Sequence, residues 1–248
     1  MNKPAIHIED VFFQYPGQDK PFMQSFNLNI QQGESFGLFG PNGSGKTTLM
    51  MLMTGLLSPQ KGEIHLLGNN IRKNDAGVKK LFGFVPQDFS FYQELSPAEN
   101  LQYFGALSGL KKNEIKEKTN FLLGILGLKK EKNTPVKKFS GGMKRRVNLA
   151  IGVIHNPQIL FLDEPTVGVD VQTRTAIIDY LKELNKNGTT LIYTSHQLVE
   201  AEELCDHIAL VDDGKIIAHD SLETLLSQYG HGALEDLFLN LTGKKYRD

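Results

Sequence analysis

The sequence predicts an α/β fold with a mostly parallel central sheet. Two short and almost wholly apolar runs, Ile159–Leu162 and Thr190–Thr194, are typical of parallel strands that are covered on both faces. The helical pattern of Val171–Leu184 lies between them and predicts the crossover helix that such a pair of strands needs. A third apolar run, Ser35–Phe39, leads into a glycine-rich loop and then a helical stretch, Thr48–Met53. This order of strand, loop and helix predicts a P-loop NTPase core.

The glycine-rich loop fits the pattern G-x-x-x-x-G-K-[ST] without a gap. Its predicted nucleotide-binding residues are Gly40, Pro41, Asn42, Gly43, Ser44, Gly45, Lys46, Thr47 and Thr48. Glycines permit backbone angles that a Cβ forbids, so successive N–H groups can converge on a phosphate. We expect Lys46 to reach the β- and γ-phosphate oxygens and the Thr47 hydroxyl to bind Mg²⁺. A chance match of the fixed positions is expected roughly once in a hundred chains of this length, and the flanking strand and helix make chance rarer still.

The remaining patterns add an N-terminal antiparallel β subdomain and an inserted α-helical subdomain to this core. Further strands are predicted at Ile6–Phe13, Phe26–Ile30, Gly62–Leu67, Phe82–Val85, Ile208–Val211 and Lys215–Ala218, the last two flanking a hairpin turn. Further helices are predicted at Pro97–Leu107, Asn113–Leu126, Gly142–Ile154, Leu222–Leu226 and Leu234–Leu241, with Ser96 capping the first. We expect a single domain over residues 1–248, with the core and β subdomain at about 1–86 and 157–220, the helical subdomain at about 87–156 and a helical tail at 221–248.

Composition narrows the classes of partner. The formal net charge of −1 argues against a nucleic-acid-binding protein that relies on an overall basic surface. The single cysteine, Cys205, excludes an internal disulfide, and we expect it to be a small buried side chain. No run approaches the roughly 18 apolar residues of a membrane span, and no signal-like apolar region begins the chain. We therefore expect no direct membrane insertion, and any membrane role should come through a partner.

Two acids end the apolar strand that follows the predicted helical subdomain. Side chains of successive strand residues point to opposite faces, so Asp163 and Glu164 can do different work. We expect Asp163 to hold Mg²⁺ through its water shell, and Glu164 to accept a proton from, or orient, the water that attacks the γ-phosphate. Acids are common at an exposed strand end, but the P-loop upstream favours the catalytic interpretation.

A second candidate anion site lies at the start of the helix predicted at Gly142–Ile154. Ser140, Gly141 and Gly142 combine a hydroxyl, two glycines and a helix N-terminus. A capped helix behind a flexible turn is the simpler explanation of these three residues taken by themselves. The adjoining Lys144, Arg145 and Arg146 are expected to form a solvated helix face.

These motifs together resemble the nucleotide-binding subunit of an ATP-binding cassette (ABC) transporter, and the resemblance runs nearly end to end. It implies that Tyr15 stacks on adenine and that Gly40–Thr48 is the Walker A loop. It also implies that Gln87 is the Q-loop glutamine touching Mg²⁺ and water, that Ser140, Gly141 and Gly142 are the signature loop, and that Asp163 and Glu164 are the Walker B pair. By the same resemblance, Val167–Asp170 is the D-loop and His196 contacts the γ-phosphate. The cofactors so implied are ATP and Mg²⁺, the catalytic residues are Glu164, His196, Gln87 and Lys46, and the metal ligands are Thr47, Gln87 and Asp163.

Two departures from the commonest family pattern stand out. Phe139 and Met143 replace the outer residues of Leu-Ser-Gly-Gly-Gln, which leaves the role of Met143 open. Phe-Ser-Gly-Gly-Met, together with the Leu-rich stretch at 234–243, is similar to an export-type bacterial subfamily of drug-efflux-like cassettes. Asp170 follows Val-Gly-Val and not the more usual Ser-Ala-Leu. The resemblance also allows Arg145 an interface role.

The resemblance implies an ATPase that powers an exporter. Its partners would be a transmembrane permease subunit, contacted through Gln87–Leu101 and adjoining helices, and a second ABC ATPase subunit, with a homodimer favoured. The chain would lie on the cytoplasmic side of the cell membrane, peripheral through its membrane partner, and would bind no nucleic acid.

Two alternatives stay open beside this interpretation. A soluble, non-transport ABC ATPase that acts on ribosomes or DNA would carry two cassettes or a long coiled coil, whereas this sequence has one cassette and no heptad run. A P-loop GTPase switch would carry Asn-Lys-x-Asp, which the sequence lacks.

Overall fold

The computed structural model describes residues 3–73, 76–229 and 234–243. The strands are β1 (Ile6–Phe13), β2 (Met23–Ile30), β3 (Ser35–Phe39), β4 (Lys61–Leu66), β5 (Asn69–Asn70), β6 (Phe82–Val85), β7 (Ile159–Asp163), β8 (Thr190–Ser195), β9 (His207–Asp212) and β10 (Lys215–Ser221). The helices are α1 (Lys46–Met53), α2 (Ala76–Lys79), α3 (Pro97–Leu107), α4 (Lys112–Ile125), α5 (Gly141–Val153), α6 (Val171–Lys186), α7 (Val199–Leu204), α8 (Leu222–Tyr229) and α9 (Leu234–Thr242). Short 3₁₀ turns occupy Ile71–Lys73 and Val136–Lys138.

The larger sheet has the order β10-β9-β3-β8-β7-β6. Strands β6, β7, β8, β3 and β9 pair in parallel, and β10 joins the edge antiparallel to β9. Every residue of β3, β7 and β8 is buried, as the apolar runs predicted. Because the carboxyl ends of parallel strands meet at one edge, the loops that follow β3, β7 and β8 come together there. The predicted α/β fold with a mostly parallel sheet is confirmed.

The smaller sheet is antiparallel and has the order β2-β1-β4-β5. It packs over one face of the larger sheet, where its residues share a hydrophobic core with α1 and with side chains such as Ile159 and Phe161 of β7. The alternate residues of β7, Leu160 and Leu162, point into a second core that includes α3, α4, α5 and α6. The segment 97–154 therefore buries its apolar side against the opposite face of the larger sheet.

Several element boundaries differ from the sequence prediction. Strand β2 begins at Met23, three residues earlier than predicted, because a bulge with Ser25 at φ +46° breaks the alternation that marks a strand. The short β5, α2 and α7 carry too few residues to show a period. Cys205, which directly follows α7, is buried as expected. Residues 230–233 and 244–248 of the predicted tail lie outside the described residues.

Two glycines set how closely α5 approaches the sheet. A Cβ added at Gly83 of β6 would lie 2.0 Å from the carbonyl oxygen of Gly152, and one at Gly152 would lie 2.5 Å from Val85 Cγ2. Backbone atoms cannot move aside as a flexible side chain can. This contact therefore fixes the distance between β6 and the helix that begins at the Ser140–Gly142 turn.

We predict that Gly83→Ala lowers the free energy of unfolding by about 1–3 kcal/mol or more, because the added methyl overpacks a backbone contact. The matched control is Gly124→Ala on α4, where an added Cβ meets no atom within 4 Å, so helix propensity should raise stability by about 0.5–1 kcal/mol. Urea unfolding of both variants checks the pair. A Gly83→Ala protein as stable as wild type would mean that the close approach is not required.

Candidate active site

The loop between β3 and α1 has the backbone of an anion cradle. Gly43 and Gly45 have φ angles of +82° and +115°, which only glycine adopts readily. A Cβ at Gly40 would lie 2.2 Å from the Val211 carbonyl oxygen, so a larger residue cannot close the loop. The Ser44 hydroxyl oxygen is buried and has no hydrogen-bond partner among the described residues. An unpaired buried donor beside a helix N-terminus fits a phosphate oxygen.

Lys46 is 5% exposed, although lysine is rarely buried. Its Nζ donates to the Gly40 carbonyl (2.7 Å) and the Pro41 carbonyl (3.2 Å), and it lies 4.0 Å from Glu164 Oε1. Burial lowers the pKa of Lys46, and the charges of Glu164 and Asp163 oppose that shift. The structure thus places the predicted lysine between the loop and the two predicted acids.

Asp163 ends β7 and is buried. Its Oδ1 accepts a hydrogen bond of 2.6 Å from the Thr194 hydroxyl on the neighbouring β8. Burial raises the pKa of Asp163, while hydrogen bonds from Thr194 and Thr47 lower it. The predicted Mg²⁺ ligands Thr47 and Asp163 are therefore adjacent.

Glu164 is the meeting point of the predicted catalytic residues. Its carboxylate accepts from Gln87 Nε2 at 3.1 Å and lies 3.2 Å from His196 Nδ1. Its backbone has φ +49°, an unfavourable value for a residue with a side chain. The Glu164 N–H is held by the Thr194 carbonyl (3.2 Å) and hydroxyl (3.1 Å). Strained backbone of this kind persists where neighbouring contacts fix it, and active sites are the usual place.

Tyr15 lies beside the loop at the end of β1. Its hydroxyl shares a hydrogen bond of 2.7 Å with Thr48 Oγ1, and its ring makes edge contacts with Phe13 and Phe22. The ring is partly exposed. Its predicted stacking on adenine stays a prediction.

The predicted signature loop is separate from this cluster. Ser140 caps α5 by accepting from the Met143 N–H (3.3 Å), and both Ser140 and Gly141 are exposed. A Cβ at the buried Gly142 would lie 3.3 Å from Thr173 Oγ1. Thr173 in turn donates to Asp170, from its N–H at 2.9 Å and from its hydroxyl at 3.0 Å. The signature turn and the predicted D-loop are therefore joined through Thr173 on α6.

The expected solvated face at residues 144–146 is wrong for Arg145, which is 6% exposed. Its Nη1 donates to the Gln87 carbonyl at 2.7 Å, and its guanidinium lies 5.0 Å from the centre of the Phe89 ring. Asn148, one turn along α5, donates to the Pro86 carbonyl at 3.0 Å. Helix α5 therefore holds the backbone around Gln87. The helical periodicity of α5 does not reveal this contact, because the backbone around Gln87 covers a face of the helix whose side chains are polar.

The donor set at this edge suits a hard divalent cation. Thr47, Asp163 and Gln87 offer hydroxyl, carboxylate and amide oxygens, the ligand class of Mg²⁺. No group of three or more His, Cys, Asp or Glu with metal-binding geometry occurs within the part of the chain that the structure describes. Sites that bind Mg²⁺ through one or two protein ligands, substrate phosphates and water need no such group.

Comparisons with known proteins agree with this geometry. The family model described as ABC transporter matches residues 23–167, more than half of the chain. The chain belongs to the ABC transporter family. The linearmycin resistance ATP-binding protein LnrL of Bacillus subtilis is 40% identical over 211 residues, which are 85% of this chain and 68% of that protein. Nod factor export ATP-binding protein I of a Rhizobium species is 36% identical over 229 residues, 92% of this chain and 75% of that protein.

A solved structure extends the comparison to the fold. The ATP-binding cassette MJ0796, a dimer in a post-hydrolysis state bound to ADP and Pi, matches with a TM-score of 0.81 at 26% identity, covering 88% of this chain and 98% of that one. The predicted family, fold and ATPase activity are confirmed, and the chain is an ATP-binding subunit of an ABC transporter. Among the described residues, no helix is both long and apolar enough to span a membrane.

We predict that Lys46→Ala weakens ATP binding and lowers turnover by at least about 100-fold, because it removes a preorganised charge from the phosphate site. Residual binding through the loop amides is expected. Titration with a fluorescent ATP analogue and a phosphate-release assay measure both effects. Lys61→Ala, which changes an exposed lysine on β4, is the control and should match wild type. Unchanged affinity and turnover in Lys46→Ala would contradict the site.

Proposed function

We propose that this ATPase drives export of a substrate through a separate transmembrane permease subunit. The observation that carries the hydrolytic part of the proposal is the buried Glu164 carboxylate, which contacts Lys46, Gln87 and His196 from three different elements. Such a carboxylate is placed to accept a proton from an attacking water, or to orient it. The relative named for Nod factor export supports the direction of transport, and the relative named for linearmycin resistance is consistent with it.

The proposed chemistry divides between the phosphates and the water. The loop amides, the Ser44 hydroxyl and Lys46 would bind the phosphates, while Tyr15 would stack on adenine. Thr47, Asp163 and Gln87 would hold Mg²⁺, which supplies charge neutralisation on the phosphates when bound. Glu164 acts on the water, and His196 holds the γ-phosphate end of the site.

We propose a head-to-tail dimer as the catalytic unit, with a second copy of this chain favoured as the partner. The exposed Ser140 and Gly141 support this, since their contacts within the subunit lie on α5 and near the D-loop. In a head-to-tail dimer each signature turn would face the Walker A loop of the other subunit. The dimeric MJ0796 cassette offers a precedent for paired cassettes.

The membrane partner is proposed to dock beside the Q-loop. Exposed apolar side chains crowd that side of α3, with Tyr92, Tyr103 and Leu107 exposed by 49%, 46% and 71%. A groove lined by Phe84, Gln87, Phe104, Leu107 and Ile151 adjoins them. Large exposed apolar patches mark interaction sites. The chain would then be peripheral on the cytoplasmic side, with residues of about 87–156 acting as the helical subdomain.

The ribosome- or DNA-directed alternative has less support. Such a role calls for a basic surface or a second cassette, whereas the formal net charge of the chain is −1. The names of the reported relatives favour transport.

The test of the chemistry is Glu164→Gln. We predict normal ATP binding and a loss of turnover of about 10²–10⁴-fold, because a carboxamide keeps the shape but cannot take a proton. Nucleotide titration and phosphate release separate the two quantities. Turnover within threefold of wild type would remove Glu164 from this role.

The test of the assembly uses the same variant, whose blocked hydrolysis should preserve the closed dimer. The Glu164→Gln protein should run as a monomer without nucleotide and as a dimer with Mg-ATP on a sizing column. Adding Ser140→Arg should restore the monomer by placing bulk and charge at the facing phosphate.

Mixing provides an independent check of the head-to-tail arrangement. A Lys46→Ala chain mixed with a Ser140→Arg chain gives mixed dimers with one intact site, so part of the activity should return. Two results together would rule out the two-site arrangement. The Glu164→Gln chain would stay monomeric at every ATP concentration, even with its permease, and the mixtures would stay inactive.

A further inference from the structure

A buried carboxylate outside the proposed catalytic set lies on α7. Glu200 is 1% exposed. Its Oε1 accepts from the Thr166 hydroxyl at 2.7 Å and from Arg174 Nε at 3.3 Å, and its Oε2 accepts from the Tyr193 hydroxyl at 2.8 Å. A buried carboxylate is costly unless it is paired and hydrogen-bonded, and this one is both.

The groups bound to Glu200 come from segments that carry the proposed catalytic side chains. Thr166 lies two residues after Glu164, and Tyr193 lies three residues before His196. Glu200 itself lies four residues after His196. One carboxylate therefore joins the chain downstream of Glu164 to the chain on both sides of His196.

The hydrogen bond between Glu200 and Thr166 adds a second restraint on the strained backbone of Glu164. On one side Thr194 holds the Glu164 N–H. On the other side a single residue, Pro165, separates Glu164 from Thr166, and its ring fixes one of the intervening torsions. An anchor at Thr166 therefore limits the motion of Glu164 directly.

We propose that Glu200 is a positioning residue, which holds Glu164 and His196 in the orientation that brings their side chains within hydrogen-bond distance. Its carboxylate is bonded to Thr166, Arg174 and Tyr193, and it acts through Thr166, Tyr193 and the start of α7. The inference rests on the proposed function, in which Glu164 and His196 work on ATP.

The charges around Glu200 favour its hydrogen bonds to Thr166 and Tyr193. Burial raises the pKa of Tyr193 well above its usual value, and the Glu200 charge adds to the shift, so the phenol stays a neutral donor. Arg174 on α6 supplies the balancing positive charge, and it also contacts Glu203 near the surface. Glu203 shares the helix and the arginine with Glu200, but among the described residues it makes no hydrogen bond to Thr166 or Tyr193. It is therefore the matched control.

The first experiment compares turnover in conservative variants. Glu200→Gln should lower kcat by about 10- to 100-fold, the scale of a small misplacement of catalytic groups, with the KM for ATP within about threefold of wild type. Glu203→Gln should keep kcat within about twofold of wild type, because the Arg174–Glu203 pair lies near the surface, where solvent screens it, and Glu203 makes no hydrogen bond to Thr166 or Tyr193 within the described structure. Wild-type kcat in Glu200→Gln would overturn the proposal.

Two smaller substitutions test the same proposal in case the Glu200→Gln protein does not fold. Thr166→Val and Tyr193→Phe each remove one donor and keep the shape of the side chain, so each should lower kcat by about 3- to 10-fold, the equivalent of one lost hydrogen bond. Thermal unfolding confirms that both proteins are folded. Wild-type kcat in both variants would overturn the proposal without reference to Glu200→Gln.

A double-mutant cycle separates positioning from a general structural effect. If Glu200 acts by orienting Glu164, adding Glu200→Gln to Glu164→Gln should cost less than about twofold in single-turnover hydrolysis. Losses that multiply in full would contradict the positioning role. Full activity in Glu164→Gln alone would defeat the proposed function, whereas an inactive Glu164→Gln with a fully active Glu200→Gln would defeat only this inference.

Discussion

The arrangement of this molecule depends on one buried carboxylate that is contacted from three directions. Glu164 lies between the lysine of the P-loop, the glutamine that follows β6 and the histidine that follows β8. These elements are far apart in the sequence and meet only because parallel strands deliver their carboxyl ends to one edge of the sheet. The edge is positioned by the fully buried strands β3, β7 and β8 and by the crossover helix α6. The remainder of the fold covers the two faces of the sheet.

Placing two carboxylates side by side in a buried site is unfavourable, and the structure shows how it is offset. Burial raises the pKa of Asp163, while hydroxyl donors from Thr194 and Thr47 oppose the shift. Burial also lowers the pKa of Lys46, and both acids favour its charged form. The charges thus stabilise one another in a small volume. A divalent cation bound between the two acids and a triphosphate would offset part of the negative charge of both.

Sequence patterns predicted the parts of the fold that local chemistry determines. The P-loop was predictable because its glycines and lysine recur at a fixed spacing within one short segment, and β7 and β8 because strands buried on both faces are short, almost wholly apolar runs. Arg145 was misjudged because its partner, the Gln87 carbonyl, lies 58 residues away. Thr194 and Glu200 were overlooked for a similar reason, since their hydrogen bonds to Asp163 and Thr166 cross 31 and 34 residues. Periodicity indicates which face of an element is apolar, but it does not indicate which polar residue on another element will meet it.

The link through Thr173 constrains how this surface can change. Thr173 contacts the Asp170 carboxylate and lies against Gly142, and a Cβ at Gly141 would come within 3.8 Å of the Gly168 carbonyl oxygen. The turn at Ser140–Gly142 and the predicted D-loop therefore lie side by side and are linked through Thr173. A neighbouring molecule that fits one turn meets the other in a fixed register. A bulky replacement at Gly142 would press on Thr173 and, through the hydrogen bonds of Thr173, on Asp170, so a change in one turn would reach the other.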